Sequence, residues 1–528
     1  MENKKTKIIS IGAVVALALT VITATYAYFN AQVGDPAVAD IKVNANTVDT
    51  FTFSNGSAIS FSINQDNFAS GKGNQTGSTY ASATLTANNK TNTATEHYYM
   101  YLNIENNTFT YSINTNTPEI IMTVKNSVGN EVTDISTLNH VIVTGANGTQ
   151  VSGYDITNKS GLITLFDNRE ITTTSSKEEK WNITITFVNY DENQNANAGK
   201  SMSAKVMIQK EVIPQVVSDV CSNGTNLATC ITTLANKSIP SATNIYHHDS
   251  SLSNGAGDNS YRYAGASDQV NNYVCFGSNE STCPTDNLYR IIGVFGNNVK
   301  LIKYDYGTTD ELGTDGDYNQ TYKEWGMDST YKGTYGDGER IGVYYWNNTT
   351  QTNTWSESLL NKTNLNTNFI NNIGEEWANK IATTTWKVGG NTYSNIYSKT
   401  PSVVYQNEIV NPVTTNTTDN ATEYTAKIGL MYVSDYGFAA EPSAWTLTIG
   451  NYNNTTATST NWMYMGLYEW TLSRNADRSD DAFIVFGDGN VFGHYVGNDV
   501  AVRPSFSLLS SVTYSKGDGT QNSPIRIN

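Results

Sequence analysis

The sequence predicts a multi-domain protein in which an all-β, immunoglobulin-like sandwich is followed by an α+β domain. Its 528 residues are enough for two or three domains of ordinary size. Apolar and polar residues alternate through the first part of the chain, which is typical of strands. Tryptophan marks a change in composition, because Trp181 is the only one of nine that precedes residue 325. We therefore expect a signal peptide at 1–27, a sandwich at 28–212, a connector at 213–245 and a second domain at 246–528.

The N-terminus has the layout of a secretory signal. Three lysines, Lys4, Lys5 and Lys7, precede an apolar run over 8–22, and small residues follow up to Ala27. This order predicts export with cleavage after Ala27. The alternative is an uncleaved membrane anchor, but an apolar core of about 15 residues is short for a span of about 20. After cleavage no apolar stretch of spanning length remains, so we expect an extracellular or cell-surface bacterial protein.

The first domain is predicted from short alternating segments. Examples are the segments at 58–63, 119–124 and 181–187, each with apolar residues at every second position. Turn clusters rich in Asn, Gly, Ser and Thr separate them. About eight to ten strands at this spacing indicate an immunoglobulin-like sandwich.

The four cysteines fit an exported protein. None stands in a Cys-x-x-Cys pair, and no histidine cluster completes a zinc site. The simplest interpretation is two local disulfides, and the alternative is four reduced thiols. The pairs would be Cys221 with Cys230 and Cys275 with Cys283.

The second domain mixes strands with a few helices. Two hairpins are predicted, one around Gly296-Asn297-Asn298 and one around Asp488-Gly489. A further strand is predicted over 428–433. Capping-box spacing over 354–357 indicates a helix start, and apolar residues at 370, 373, 377 and 381 predict one face of a helix that runs through Gly374. This mixture is typical of an α+β domain.

Composition excludes some partners. The net charge is −16 and only 15% of the residues are charged. A nucleic-acid surface needs a Lys/Arg footprint, and attachment to anionic lipid needs basic patches. We therefore expect no nucleic-acid partner.

No enzyme motif was found in the sequence. His-Glu-x-x-His, Gly-x-Ser-x-Gly and phosphate-binding glycine loops are missing from the chain. Adjacent acids such as Asp480 and Asp481 do not provide the carboxylate separation that a glycosidase needs. Asp315, Asp317 and Asn319 resemble the start of a calcium loop, but position six is Gln320 where that motif needs glycine. The sequence therefore predicts a non-enzyme with no cofactor beyond this incomplete calcium motif.

The end of the signal resembles a family of exported proteins. The stretch 25–30, Thr-Tyr-Ala-Tyr-Phe-Asn, is similar to the signal end of the camelysin/TasA group of Gram-positive bacteria. Members of that group are cell-surface or biofilm-fibre β-sandwich proteins. The resemblance implies export and a homopolymer formed through the N-terminal domain.

The C-terminal segments resemble a second family. The stretches 468–474 and 501–508, with the hairpin between them, are similar to the end of C-type-lectin-like domains of the formylglycine-generating-enzyme type. The resemblance implies a ligand-facing loop before the closing strand, as in target-binding proteins of Bacillota. The oxidase activity of that family is not implied, because no cysteine follows Cys283. Arg503 is predicted to be a buried structural residue, paired with Glu469 or an aspartate.

The predicted binding surface is the loop and hairpin from Asn475 to Asp499. Its polar stretch lies between two strong strands, which can hold a recognition loop in place. We expect an exported adhesion or recognition protein whose ligand is a surface glycan or a protein. The alternatives are an extracellular glycan hydrolase and a structural fibre subunit. The candidate ligand-binding residues are Asp477, Arg478, Asp480, Asp481, Asn490, His494, Tyr495 and Asn498.

Overall fold

The computed structural model describes residues 49–68, 72–88, 92–322, 330–412, 422–453 and 455–528. Contacts divide the chain into two compact units, Met1–Val212 and Ile213–Asn528. The predicted signal peptide lies outside the described residues. Among those residues, no helix combines the length and apolar character needed to cross a membrane.

The first unit consists of two antiparallel sheets around one core. One sheet has the strand order β1-β3-β9-β5-β7-β6 and the other β2-β10-β4-β8. The strands are β1 (Thr50–Asn55), β2 (Ile59–Ser62), β3 (Gln75–Thr86), β4 (Ala94–Asn107), β5 (Ile120–Asn126), β6 (His140–Thr144), β7 (Gln150–Asp155), β8 (Gly161–Thr173), β9 (Ser176–Phe187) and β10 (Ser201–Gln209). This arrangement confirms the sheet-rich character predicted for the first domain.

Alternation along the strands builds the core of the first unit. In β9, Trp181, Ile183 and Ile185 are buried, whereas Asn182 is exposed and Thr184 half-buried. Inward residues of the four-stranded sheet, including Met100 and Leu102, belong to the same apolar cluster. Because both sheets contribute to one cluster, they form a sandwich-like pair of layers.

The second unit has two larger sheets and two small ones. The first has the order β11-β12-β14-β15-β26-β21 with β13 on β14, and the second β16-β17-β25-β22-β23-β24 with β19 on β22. The small sheets are β18-β20 and β27-β28. The strands are β11 (Ile245–His247), β12 (Tyr261–Tyr263), β13 (Tyr273–Cys275), β14 (Leu288–Phe295), β15 (Asn298–Lys303), β16 (Tyr318–Thr321), β17 (Gly342–Tyr345), β18 (Thr384–Lys387), β19 (Gly390–Asn391), β20 (Glu423–Ala426), β21 (Ile428–Gly429), β22 (Glu469–Asn475), β23 (Asp481–Val485), β24 (Val491–Tyr495), β25 (Asp499–Ala501), β26 (Ser505–Ser507), β27 (Tyr514–Lys516) and β28 (Arg526–Ile527).

Helical segments of the second unit are short. The α-helices are Leu227–Lys237, Pro240–Thr243, Thr309–Leu312, Ile370–Asn372, Glu375–Ala378, Tyr393–Ser398, Pro401–Tyr405, Val433–Ala439 and Thr455–Ser459, and the π-helical segments are Leu360–Phe369 and Gln406–Val410. Both predicted hairpins are confirmed: Phe295 pairs with Asn298, and Val485 with Val491.

The segment 213–245, predicted to be a connector, is instead part of the second unit. Its helix Leu227–Lys237 buries Leu227, Ile231 and Leu234 in the core of that unit. The helix begins at Asn226, whose side chain accepts a hydrogen bond from the Thr229 N–H. Its apolar face therefore packs with the strands rather than facing solvent.

Two local predictions in the second unit are wrong. The strand expected over 428–433 ends at Gly429, and the helix Val433–Ala439 follows, with all seven residues buried. The helix expected to run through Gly374 is broken there, because Gly374 has φ of 81°, outside the helical region. Trp377 and Ile381 are nevertheless buried in the core, as their spacing predicted.

The covalent and ionic links predicted from sequence are present. The disulfides join Cys221 to Cys230 and Cys275 to Cys283, with Cα atoms 5.4 and 5.8 Å apart. Arg503 is buried, and its Nε donates to the Glu469 Oε1 at 2.8 Å. The structural role predicted for this arginine is confirmed.

Candidate ligand-binding site

The candidate site is centred on the loop 476–480, which joins β22 to β23. Both strands are fully buried; β22 pairs in antiparallel fashion with β23, and β23 pairs likewise with β24 at the sheet edge. At the loop itself, Asp477 and Arg478 are exposed. A solvated loop between two rigid strands is a geometry that recognition sites use.

Asn353 anchors this loop from inside the protein. Its Nδ2 donates to the carbonyl oxygens of Asn475, Arg478 and Asp481, at 2.9, 2.7 and 2.9 Å. Its backbone N–H donates to the Ser479 carbonyl at 2.6 Å. Asn353 is fully buried, so these bonds are shielded from competing water. The loop is therefore fixed in one conformation although its side chains face solvent.

Tyr393 is brought to the loop by a short parallel bridge. Gly390 and Asn391 pair with Arg474 and Asn475, and the helix Tyr393–Ser398 begins two residues later. Glycine is required at 390, because a Cβ there would lie 2.0 Å from the Arg474 carbonyl oxygen. The Tyr393 N–H then donates to the Asp477 Oδ1 at 3.2 Å. An aromatic side chain from a distant segment thus borders the loop.

The second border of the loop comes from β24 and the segment that follows it. The Tyr495 O–H donates to the Gln351 Oε1 at 2.7 Å, and the Val496 N–H donates to the Asp480 carbonyl at 2.9 Å. Asn498 is exposed, and its Nδ2 lies 3.2 Å from the His494 Nε2. We call the residues Gln351, Tyr393, Asp477, Arg478, Asp480, Tyr495 and Asn498 the loop surface.

Charges at the loop surface interact mainly with one another. Arg478 Nε lies 3.3 Å from the Asp480 Oδ1 and 3.2 Å from the Asp481 Oδ2. Asp481 is buried, and this burial raises the pKa of its carboxyl group. Burial likewise lowers the pKa of His494. The exposed Arg478–Asp480 pair contributes at most about 1 kcal/mol to stability, so both side chains are free to engage a ligand.

The structure brings together only part of the predicted set. Asp477, Arg478, Asp480, Tyr495 and Asn498 gather at one end of the β23–β24 hairpin. Asn490 lies at the opposite end, beyond the Val485–Val491 pair. His494 is half-buried, and its ring lies 5.7 Å from that of Trp470. Strand alternation places His494 on the opposite face from Tyr495.

Sequence reasoning missed Asn353, Gln351 and Tyr393. They lie more than 80 residues from the loop in sequence, and polar or aromatic side chains in a loop carry no local signal of their distant contacts. The Trp-rich segment around Asn353 was the one sequence signal, and its Trp346 and Trp355 are both buried.

The residues of the incomplete calcium motif have other hydrogen-bond partners. The Asp317 carboxylate accepts from the backbone N–H groups of Asn348 and Leu360, at 3.1 and 2.8 Å. Asp315 Oδ1 accepts from the Asn368 Nδ2 at 2.6 Å. Within the described part of the chain, no group of three or more His, Cys, Asp or Glu side chains is placed to hold a metal ion.

No family model matches the sequence, and no curated protein matches it.

Proposed function

We propose that the protein is an exported recognition protein of a Gram-positive bacterium, and that it binds a surface glycan or protein through the loop surface of its second unit. The observation that carries this proposal is the set of hydrogen bonds from the buried Asn353 Nδ2 to three carbonyl oxygens at the loop. Ordering a loop costs conformational entropy. A loop that is already ordered when free does not incur that cost on binding.

Side-chain chemistry at the loop surface supports the same role. Tyr393 and Tyr495 offer large and rigid contact areas, and Asp, Arg and Asn offer adaptable hydrogen bonds. The similarity of 468–474 and 501–508 to C-type-lectin-like domains supports a ligand at this position, because the late loop is the ligand-facing part of such domains.

Export is supported by two further features. The basic, apolar and small-residue order of 1–27 is that of a secretory signal. The two disulfides are consistent with an oxidising compartment. N-terminal sequencing of the secreted protein tests this part, and we expect Tyr28 as the first residue.

Binding is tested by probing arrays of surface glycans and proteins with the full-length chain. The double variant Arg478→Ala/Asp480→Ala removes one positive and one negative side chain from the loop surface. Lys237→Ala/Glu280→Ala is a matched control, because both residues are exposed in the second unit but lie on other elements. We expect the wild type and the control to retain one or more ligands that the loop variant loses. Equal binding by all three proteins would contradict the proposal.

A second function, self-association through the first unit, is favoured by β6. This strand lies at the end of its sheet and carries no Asp, Glu, Lys or Arg. Ile142 at its centre is 66% exposed. Free strand edges without charge are prone to pair with another chain. We expect Ile142→Lys to reduce self-association in sedimentation velocity, and unchanged association would count against this role.

A further inference from the structure

Beside the loop surface lies a small polar recess that we call the Gly493 notch. It is formed by Gly493 of β24, Asn475, Asp481 and the ring of Tyr393. A Cβ atom at Gly493 would lie 3.5 Å from the Tyr393 Cδ2, 3.6 Å from the Asp481 Oδ2 and 3.7 Å from the Asn475 Nδ2. Three chemically different groups therefore surround the space that a side chain would occupy.

The glycine at 493 is not required by the backbone. Its φ lies outside the positive region, and an alanine Cβ would make only ordinary van der Waals contacts. Glycine within a strand is less favourable than alanine. A glycine with no conformational role leaves this space open, and the residue itself is half-buried, so the notch reaches solvent.

Asn475 presents an unsatisfied donor to the notch. The residue is only 1% exposed, and its Oδ1 accepts from the Asp477 N–H at 3.2 Å, which orients the amide. Its Nδ2 lies beside the Asp481 carboxylate and contacts it outside good hydrogen-bond geometry, so among the described residues the amide is not fully satisfied. A buried donor without a well-aligned partner is destabilising. A ligand atom that accepts this hydrogen bond would recover that energy.

The groups of the notch define the chemistry of the ligand. The Asn475 Nδ2 can donate to an acceptor, and the Asp481 carboxylate, whose Oδ2 also lies 3.2 Å from the Arg478 Nε, can accept from a further donor. An ammonium group has no acceptor for Asn475. An anion would be repelled because three carboxylates, those of Asp477, Asp480 and Asp481, outnumber the single Arg478 guanidinium. A hydroxyl group is both donor and acceptor, so two neighbouring hydroxyls on one neutral molecule match both groups.

Aromatic rings extend from the notch across the surface. Tyr393 is 38% exposed and Tyr397 is 54% exposed, and their ring planes are within 6° of parallel. Phe492 packs edge-on against Tyr393 with ring centroids 4.9 Å apart, which holds the Tyr393 ring in place. The apolar face of a sugar ring can pack on such a ring while its hydroxyls enter the notch.

We propose that the Gly493 notch binds one ring of a neutral oligosaccharide, with Asn475 and Asp481 on neighbouring hydroxyls and Tyr393 and Tyr397 under successive sugar units. This inference rests on the proposed recognition function and specifies its ligand class as a neutral glycan.

The test is titration calorimetry of the full-length chain with neutral gluco-, manno-, galacto- and N-acetylglucosamine oligosaccharides of three to six units. Gly493→Val fills the notch without removing any side chain, and Tyr393→Ala removes the ring at a partly exposed position. Asp488→Asn, at the opposite end of the hairpin, is the control. We expect at least one oligosaccharide to bind, and both notch variants to raise its Kd about tenfold or more, equivalent to about 1.4 kcal/mol. Thermal melts verify folding, and Tyr393→Ala decides the test if Gly493→Val does not fold.

The outcomes separate this inference from the proposed function. Binding of an oligosaccharide that is unchanged in both variants overturns the notch as its site. Binding only of a protein or a charged glycan on the arrays, lost in Arg478→Ala/Asp480→Ala but retained in Gly493→Val, overturns the saccharide inference and leaves the recognition function standing. The absence of any ligand in both experiments overturns both.

Discussion

Glu469 shows how single residues stabilise the second unit. Its carboxylate accepts from the Arg503 Nε and Nη2 at 2.8 and 2.9 Å, and both side chains are almost completely buried. Glu469→Ala leaves a buried guanidinium without its counter-charge, so we expect a loss of about 3–5 kcal/mol in the free energy of unfolding. This loss is measured by unfolding the protein in guanidinium chloride and monitoring its tryptophan fluorescence. Glu423→Ala, which breaks the partly exposed pair with Lys387, should cost less than about 1 kcal/mol. Similar costs for both variants would contradict this account.

Glu408 links stability to pH. It is buried, and this burial raises the pKa of its carboxyl group to about 7 from the ordinary value of 4.5, with a smaller contribution from Asp435. Between these two values the unfolded chain releases the proton that the folded chain keeps, so the free energy of unfolding falls as pH rises from 4.5 to 7. Below this window the contribution is fully present.

The variant Glu408→Gln removes this titration. Relative to it, the wild type should lose about 3 kcal/mol of stability over that interval. Denaturant titrations of both proteins at several pH values between 4 and 8 measure the difference. Parallel pH profiles would show that Glu408 does not titrate in this range.

At the scale of elements, the loop 476–480 depends on Asn353 rather than on its own sequence. Asn353→Ala removes the donor to three carbonyls, so the loop should open more often. Trypsin cleaves after exposed arginines, and we expect cleavage after Arg478 to become at least several-fold faster than in the wild type. Thr352→Ala, at the neighbouring residue, is the control. An unchanged cleavage rate would show that the hydrogen bonds from Asn353 do not order the loop.

Local signals predicted some elements well and others poorly. The hairpin around Asp488-Gly489 was predicted because an Asp-Gly pair between two apolar runs is typical of a tight turn, and in the structure Gly489 adopts the positive φ of 91° that glycine tolerates there. The helix Val433–Ala439 was missed because all seven of its residues are buried, including the polar Ser434 and Asp435, and a helix buried on all sides has no periodicity to distinguish it from a buried strand. Tyr393 was missed because a parallel bridge between distant residues places it at the loop.

At the scale of the whole molecule, the boundary of the second unit decides which fragments can fold. Because the helix Leu227–Lys237 lies in the core of the second unit, a fragment 246–528 lacks Leu227, Ile231 and Leu234. Each buried leucine or isoleucine contributes about 2–5 kcal/mol. We expect residues 213–528 to melt cooperatively and residues 246–528 to be largely unfolded, as measured by circular dichroism. If the two fragments melt equally, residues 213–245 are not needed for folding of the second unit, and the connector predicted from sequence would be correct.

The central claim is that the whole molecule recognises a ligand through the loop surface. Its most direct test is the ratio of two dissociation constants, for Arg478→Ala/Asp480→Ala and for Lys237→Ala/Glu280→Ala, against the strongest ligand on the arrays. Exposed substitutions change stability by about 0.5 kcal/mol or less, so both full-length variants should stay folded. We predict a ratio of about ten or more, whereas a ratio near one for two folded proteins would contradict the account.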